Sequence, residues 1–430
     1  MKRLHVTALL AGCATLAALG QAGAGGYSRG TADTDLIFEE GNFNMRASVT
    51  VVMPKRGYDT ITAPVNVPSP PFPPQALPAG TYKSTDPDYT QTYAIPSSAI
   101  KFNVTDDLRC AGTYTQPFGA DSDYGPQAIL IGSMADGSGT VRENFITNEF
   151  GATCGYKFDL AKGRAWLIAG GFLQDFDYSQ TVQFTFGVPA AFIPPGATGT
   201  LKFKDEYQPG FRLGAAYEIP EIALRAQLMY RSAIDHSPSG GSGDTFTVRD
   251  ANGNLLAPPF ATAGTGTLPQ SVELKVQSGI APGWLAFGSV KWTDWSVLDQ
   301  LDYTIFAPGA LGGPRELEYY YKDGWTITGG VGHAFNETIS GVVGFTWDRG
   351  VSTTEDTLSD SYTAAAGVSI KDKLGGEVRF GGAISYLTSA SVSAEARPSA
   401  PGQIDPGAAF AYTVDGDFVY ALSAGYKIAW

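Results

Sequence analysis

The last fifteen residues, Gly416 to Trp430, constrain the fold more than any other part of the chain. Phe418, Tyr420, Leu422, Ala424, Tyr426, Ile428 and Trp430 share one face of an extended strand. Val419, Ala421, Ser423, Gly425, Lys427 and Ala429 share the other. Side chains alternate along a strand, so an aromatic-rich face is backed by a small or polar one. That arrangement suits a boundary between lipid and an aqueous lumen. A soluble sandwich strand also alternates, but seldom carries aromatics on one face up to the last residue. A terminal aromatic is the usual end of bacterial outer-membrane barrels, and Trp430 is expected to be read there by the barrel-assembly machinery.

The opposite end reads as a secretory leader over residues 1–24: Lys2 and Arg3, a largely apolar stretch from Leu4 to Leu19, then Ala22-Gly23-Ala24. A competing lipoprotein-like cut at Leu10-Ala11-Gly12-Cys13 leaves a very short apolar stretch before it. Beyond the leader no run of about 18 apolar residues exists, so no transmembrane helix is expected. Mean hydropathy is −0.06, as alternation requires, since the two faces cancel. The 53 glycines, 24 phenylalanines, 21 tyrosines and 7 tryptophans beside only 17% charged residues also suit a barrel. Loss of Lys2 and Arg3 takes 29 bases to 27 against 42 acids, a mature charge near −15. That balance argues against nucleic acid as a partner. No linker-like break divides the mature chain, which favours a single barrel.

Tight turns fall at 104–107, 159–163, 220–221, 282–283, 336–337 and 372–376, with longer segments rich in Pro, Gly, Ser and Asp between them. Short turns alternating with long loops are the asymmetry of an outer-membrane barrel, turns towards the periplasm and loops outside. The pattern predicts an all-β, transmembrane antiparallel barrel of fourteen strands. They lie at 45–53, 94–103, 107–116, 143–158, 164–177, 206–219, 222–234, 267–281, 284–295, 321–335, 338–348, 361–371, 376–388 and 416–430. An even number lets the first and last strands meet antiparallel. The strand from Trp166 to Phe172 is the weakest, because both of its faces are apolar.

Three stretches resemble the FadL family, outer-membrane transporters of long-chain fatty acids and related hydrophobic compounds. Thr267–Leu274 (TLPQSVEL) followed by Val290–Ser296 (VKWTDWS) is the most specific. Tyr321–Ile327 (YKDGWTI), leading through His333–Asn336 to Gly344–Arg349 (GFTWDR), is similar to the paired strands that follow in the family. Gly25–Asp33 (GGYSRGTAD) looks like the family's mature start. The resemblance spans nearly the whole mature chain and implies an N-terminal hatch inside the barrel, here residues 25–44, with the barrel over 45–430. The family's hatch is about forty residues and usually ends near Asn-Pro-Ala. Here about twenty residues precede the first strand, and Phe38–Asn42 (FEEGN) stands where that motif would be, so a smaller or leakier plug is expected.

Two long external loops carry apolar stretches: Phe184, Phe186, Val188, Phe192 and Ile193 in one, Leu255, Leu256 and Phe260 in the other. Grouped apolar surface marks a binding site, and the resemblance implies an outer groove for a hydrophobic ligand. Mutual packing that merely caps the barrel explains the same residues. Inward strand positions carry Arg212, Arg225, Arg231, Lys275, Lys291, Arg379 and Lys427, with Glu218, Glu273 and Glu377 among them. One or two of these cations are candidates to hold a ligand carboxylate, and a ladder of ion pairs accounts for the rest. Cys110 and Cys154 lie on neighbouring strands at similar depth, and an oxidising compartment favours a disulfide between them.

Only His236, expected in a loop, and His333 remain after the leader, too few for a metal cluster or a nucleophile–base pair. No cofactor and no enzymatic activity are therefore expected. The leading expectation is a monomeric channel for passive uptake of long-chain fatty acids or related hydrophobic compounds, set among outer-membrane lipids and lipopolysaccharide of a Gram-negative bacterium. A general diffusion porin, a channel for alkane or aromatic hydrocarbons, an outer-membrane lipase and an adhesin remain as competitors.

Overall fold

The structure, a computed structural model, describes residues 26–63, 79–188, 191–238, 243–354, 356–373, 375–394, 408 and 410–429. The expected leader and Trp430 lie outside these residues. Fourteen strands form one ring: β1 (Phe43–Met53), β2 (Tyr93–Asn103), β3 (Leu108–Thr115), β4 (Glu149–Asp159), β5 (Arg164–Phe184), β6 (Ala197–Ile219) and β7 (Leu224–Arg231). The ring continues through β8 (Ser271–Ala281), β9 (Trp284–Thr293), β10 (Gly324–Ala334), β11 (Ile339–Asp348), β12 (Ser361–Lys371), β13 (Gly376–Leu387) and β14 (Asp417–Ala429). Each pairs antiparallel with its neighbours. β14 closes on β1, with Asn44 opposite Ala429 and Met53 opposite Tyr420. Closure leaves no unpaired edge, which a strand in hydrocarbon cannot tolerate.

The alternation read from the terminal strand holds in space. Phe418, Tyr420 and Leu422 face outward and are exposed, whereas Val419 and Ala421 face inward and are buried. Cys110 and Cys154 stand directly opposite each other on β3 and β4 and are bonded, S–S 2.06 Å. Their Cα atoms are 4.0 Å apart, closer than the roughly 4.4–6.8 Å usual for a disulfide.

Two strand expectations need correction. The stretch expected as one strand over 143–158 is two. Gly139–Ile146 belongs to an external hairpin with Gly119–Asp123, and only Glu149 onward enters the ring. Thr147 and Asn148 break the ladder because their hydrogen bonds go elsewhere. Thr147 Oγ1 donates to the Phe118 carbonyl (3.1 Å), and the Asn148 amide donates to Asp175 (2.5 Å). Secondly, β5 and β6, expected to pair over 164–177 and 206–219, run for 21 and 23 residues. A tilted membrane strand needs only about 9–11. Their surplus forms the spine of an external lobe whose core includes Phe118, Tyr178, Phe203, Phe246, Leu268 and Trp295. A smaller external sheet, with strands Thr60–Ala63, Gly80–Lys83, Ala390–Val392 and Tyr412–Val414, packs on the α-helix Pro126–Asp136 through Ile61 and Ile131.

The N-terminal segment lies inside the ring. Ile37 and Phe38, in the single 3₁₀ turn Thr34–Phe38, pack against inward-facing Ala111, Trp166, Ile168 and Ala216. This contact explains why the Trp166–Phe172 stretch is apolar on both faces. One face meets lipid and the other meets the chain's own N-terminus.

Leu422 is 62% exposed in the middle of β14. Leu422→Arg should destabilise the barrel by about 2–4 kcal/mol in urea-driven refolding into lipid vesicles, since it places a cation on the lipid face. Ser423→Arg, one residue on and facing the lumen, should cost far less.

Candidate functional site

The lumen is built from alternate residues of the strands on one side and the N-terminal segment on the other. Between them is a cavity of about 300 Å³ lined by residues 28–35 of the segment and by inward side chains of several strands. Arg212, Arg225, Arg231, Lys275, Lys291 and Arg379 all line it, and Lys427 reaches the segment through Glu39 (2.5 Å). The seven bases expected on inward positions are therefore all turned into the lumen.

The segment is held through both its backbone and its carboxylates. Its C-terminal part is pinned through backbone carbonyls and through the Glu39 and Glu40 carboxylates, which meet Lys427 and Arg164. Lys101, fully buried, donates to the carbonyls of Glu39 (2.8 Å) and Gly41 (2.5 Å) and to the Asn44 side chain (3.0 Å). Arg109 donates to the carbonyls of Ile37 (3.3 Å) and Glu39 (3.1 Å). The N-terminal part is held through the backbone N–H groups of Arg29 and Gly30, which donate to the carbonyls of Pro117 and Gln116 (2.8 Å each), and further along the segment carboxylates meet the wall. Asp33 and Glu39 pair with Arg46, and Asp35 pairs with Lys275 (3.2 Å) and lies 3.9 Å from Arg225.

Aromatic rings take up the flat faces of the buried guanidinium groups. Arg225 stacks over Phe38 at 4.5 Å, Arg109 over Trp166 at 5.2 Å, and both Arg212 and Arg231 over Phe172 at 4.4 and 4.6 Å. Such contacts strengthen where water is excluded. Glu149, on β4 and almost fully buried, binds both Arg212 and Arg231, the latter at 2.9 Å. Elsewhere Glu218 accepts from Trp166 Nε1 (2.8 Å), and Glu377 pairs with Arg379 (2.6 Å).

The apolar loop residues divide. Phe184 and Ile193 are buried in the core of the external lobe, where Phe260 and Val188 also pack. Phe186 packs on the helix-and-sheet cluster instead. Only Phe192, 94% exposed with a left-handed φ of 56°, and the exposed Leu255 and Leu256 present free apolar surface. A run of local sequence cannot reveal which loops meet, so it could not separate the buried members from the exposed ones.

The segment begins in this lobe. Gly26, at φ +68°, lies against the Trp295 indole so closely that a Cβ would stand 2.4 Å from it. Tyr27 packs edge-on to Phe145, and its hydroxyl accepts from that of Tyr321 (2.8 Å). Nearby, Glu143 accepts from Tyr178 (2.7 Å), and burial raises its carboxyl above the usual glutamate value. His236 is not in a loop: it sits buried in the short strand Ile234–His236, its Nδ1 2.9 Å from Asp205 and its Nε2 3.3 Å from Gln174. Both ring nitrogens are taken. His333 Nδ1 lies 3.1 Å from the Gly283 carbonyl.

A closed antiparallel ring with a lipid-facing apolar exterior and a charged interior defines a transmembrane β-barrel of the Gram-negative outer membrane. Residues 49–426 match the family model described as outer membrane protein transport protein (OMPP1/FadL/TodX). The chain belongs to that family. Among solved structures it is similar to a FadL homologue from Pseudomonas aeruginosa, 15% identical over 96% of this chain and 97% of that one, TM-score 0.68. It also resembles the toluene transporter TodX of Pseudomonas putida (12%, 92% of each chain, TM-score 0.58) and the monoaromatic hydrocarbon channel CymD (11%, 92% and 90%, TM-score 0.55). At these identities the likeness shows the fold. No curated protein matches the chain.

Two outcomes follow from the site. Glu149→Ala leaves Arg212 and Arg231 without their shared carboxylate and should cost about 3–5 kcal/mol in urea unfolding. Glu143 favours the folded lobe when protonated. Its contribution is complete below the ordinary glutamate pKa and is lost as pH rises through the raised value. Glu143→Gln should therefore flatten the pH dependence of loop cleavage by a protease, compared across weakly acidic to neutral buffers.

Proposed function

We propose that the protein is a channel for passive uptake of long-chain fatty acids or related hydrophobic compounds. The observation that carries this reading is the lumen itself. It is filled by the chain's own N-terminal segment, ion-paired to the wall, beneath an external lobe that exposes Phe192, Leu255 and Leu256. A general diffusion porin needs an open aqueous lumen instead.

In this reading Phe192, Leu255 and Leu256 capture the hydrophobic molecule, the segment at 26–42 acts as the hatch, and the lumen bases meet any polar end. Phe184, Phe186, Val188, Ile193 and Phe260 support the capture surface from beneath. Uptake of alkane or aromatic hydrocarbon is the second reading, favoured by the apolar character of Phe192, Leu255 and Leu256. In this reading the barrel works as a monomer embedded in outer-membrane lipid and lipopolysaccharide. Trp430 serves as the signal for the assembly machinery. The chemistry asked of the protein is binding and passage, with no cofactor and no catalysis.

Uptake of labelled fatty acid and hydrocarbon, with single-channel conductance, tests the reading. Combined Phe192→Ser, Leu255→Ser and Leu256→Ser should lower uptake while the barrel still folds, because these side chains contribute little to any core. Deleting residues 26–40 should raise ion conductance to that of an open pore. Steady large conductance in the parent, or uptake untouched by the triple variant, would refute it.

A further inference from the structure

A chain of hydrogen bonds joins the external lobe to the lumen wall, and its polarity depends on one proton. It starts at the bulge of β6, where Glu206 and Tyr207 stand against Asp175 alone on β5. Bulges re-aim the side chains beside them, and here that side chain is Asp205. Its carboxylate accepts from Gln208 Nε2 at 3.2 Å and lies 2.9 Å from His236 Nδ1. The other ring nitrogen, Nε2, lies 3.3 Å from the side-chain amide nitrogen of Gln174 on β5. The Gln174 oxygen accepts from Arg231, whose Nη2 also reaches Glu149 at 2.9 Å. Asp205, His236 and Gln174 are buried, and Arg231 lines the lumen cavity.

Donors and acceptors can be assigned along this chain from its two ends. A guanidinium has only donors, so the Gln174 oxygen must face Arg231 and the Gln174 NH₂ must face His236. A carboxylate has only acceptors, so His236 Nδ1 carries the hydrogen that meets Asp205. His236 Nε2 is therefore a bare acceptor, and the imidazole is neutral. A second proton on the ring would set an N–H against the Gln174 NH₂, two donors 3.3 Å apart. Rotating the Gln174 amide only moves the conflict, because its NH₂ would then face Arg231. The groups around the ring are Asp205 on β6, Asp175 and Phe176 on β5, and Arg231 on β7. The strand paired with it, residues 266–268, brings no charge. Burial pushes the imidazole below its ordinary pKa, helped by Arg231 and opposed by Asp205 and Asp175.

We propose that His236, Gln174 and Arg231 form a proton-operated latch between the external lobe and the barrel. With His236 neutral the latch is closed: the lobe strand Ile234–His236 holds Gln174, and Gln174 holds Arg231 at the rim of the ring. Protonation breaks one of those two bonds. Arg231 then keeps Glu149 but is freer toward the cavity it lines, or the lobe strand loses its grip on β5. A histidine with a lowered folded pKa stabilises the fold above its ordinary value, and that contribution is lost as pH falls through the lowered one. The lobe lies on the outer side, where pH follows the medium, so the latch opens to acid from outside. Its working does not depend on what the channel carries.

The test is NMR of ring-labelled histidine, with amide hydrogen exchange, on the full mature protein in detergent micelles. Outside the expected leader the chain has two histidines, His236 and His333, and His333→Gln assigns their signals. In the parent, neutral His236 should carry its proton on Nδ1 and titrate below an ordinary histidine. Amides of residues 174–176 and 231–236 should exchange roughly tenfold faster at about pH 4.5 than at about pH 7.5, after correction for intrinsic rates. His236→Gln, which does not titrate, should exchange equally at both. Gln174→Glu offers an acceptor to Arg231 and to the imidazolium alike. It should raise the His236 titration by roughly one to two units and abolish the acid opening. An Nε2–H tautomer in the parent, or an imidazole still neutral at about pH 4.5, would overturn the latch without any variant having to fold. So would acid opening that persists in His236→Gln, or a His236 titration that Gln174→Glu leaves in place.

Discussion

Hydrocarbon offers the peptide backbone no hydrogen-bond partner, and an unsatisfied backbone group there costs several kcal/mol. The pairing of β14 with β1 is the consequence on which the rest depends, since it converts a sheet with two edges into a ring with none. Once the ring is closed, every strand must turn one set of alternate residues to lipid and the other to the interior. The interior then has to be filled or flooded. This chain fills it with its own N-terminus, whose Ile37 and Phe38 find apolar partners on β3, β5 and β6. The disulfide between Cys110 and Cys154 fixes β3 to β4 beside this contact, on the lipid-facing side of the wall.

Much of this was legible in the sequence because the membrane enforces its rule strand by strand. Alternation within Asp417–Ala429 needs no knowledge of distant residues, nor do the six short turns that join the strands at one end. The cysteines could be paired for the same reason: both count from a nearby turn on neighbouring strands. Failures came where the deciding partner was remote. The Trp166–Phe172 stretch read as a weak strand because its inner face answers to residues more than a hundred positions earlier. Phe184 and Ile193 read as exposed loop residues because their partners, such as Phe246 and Val248, lie on another loop. His236 read as a loop residue since nothing local announces its Asp205 and Gln174 partners. The break at Thr147 was likewise hidden, as a threonine in a strand-like run favours a strand until its hydroxyl finds the Phe118 carbonyl.

The inward bases illustrate how far local reading goes. Their direction followed from period two alone, and all seven point inward. Their partners did not follow, because two of the acids they meet, Asp35 and Glu39, belong to the N-terminal segment, where Asp33 and Glu40 meet the further bases Arg46, Arg109 and Arg164. The wall and the segment are therefore one electrostatic unit. Without the segment, bases such as Lys275, Arg46 and Lys427 would stand along a narrow lumen with too few carboxylates to balance them. Without the wall, the segment has only one short helical turn and no sheet pairing to hold it.

The segment is held by both kinds of contact. Lys101 and Arg109 grip the backbone carbonyls of Ile37, Glu39 and Gly41, while Asp33, Asp35, Glu39 and Glu40 are gripped through their carboxylates. The external lobe adds a third restraint at Gly26 and Tyr27, where the start of the segment is packed against Trp295 and Phe145. A single stretch of chain thus touches both the lobe that exposes Phe192 and the charged wall of the lumen.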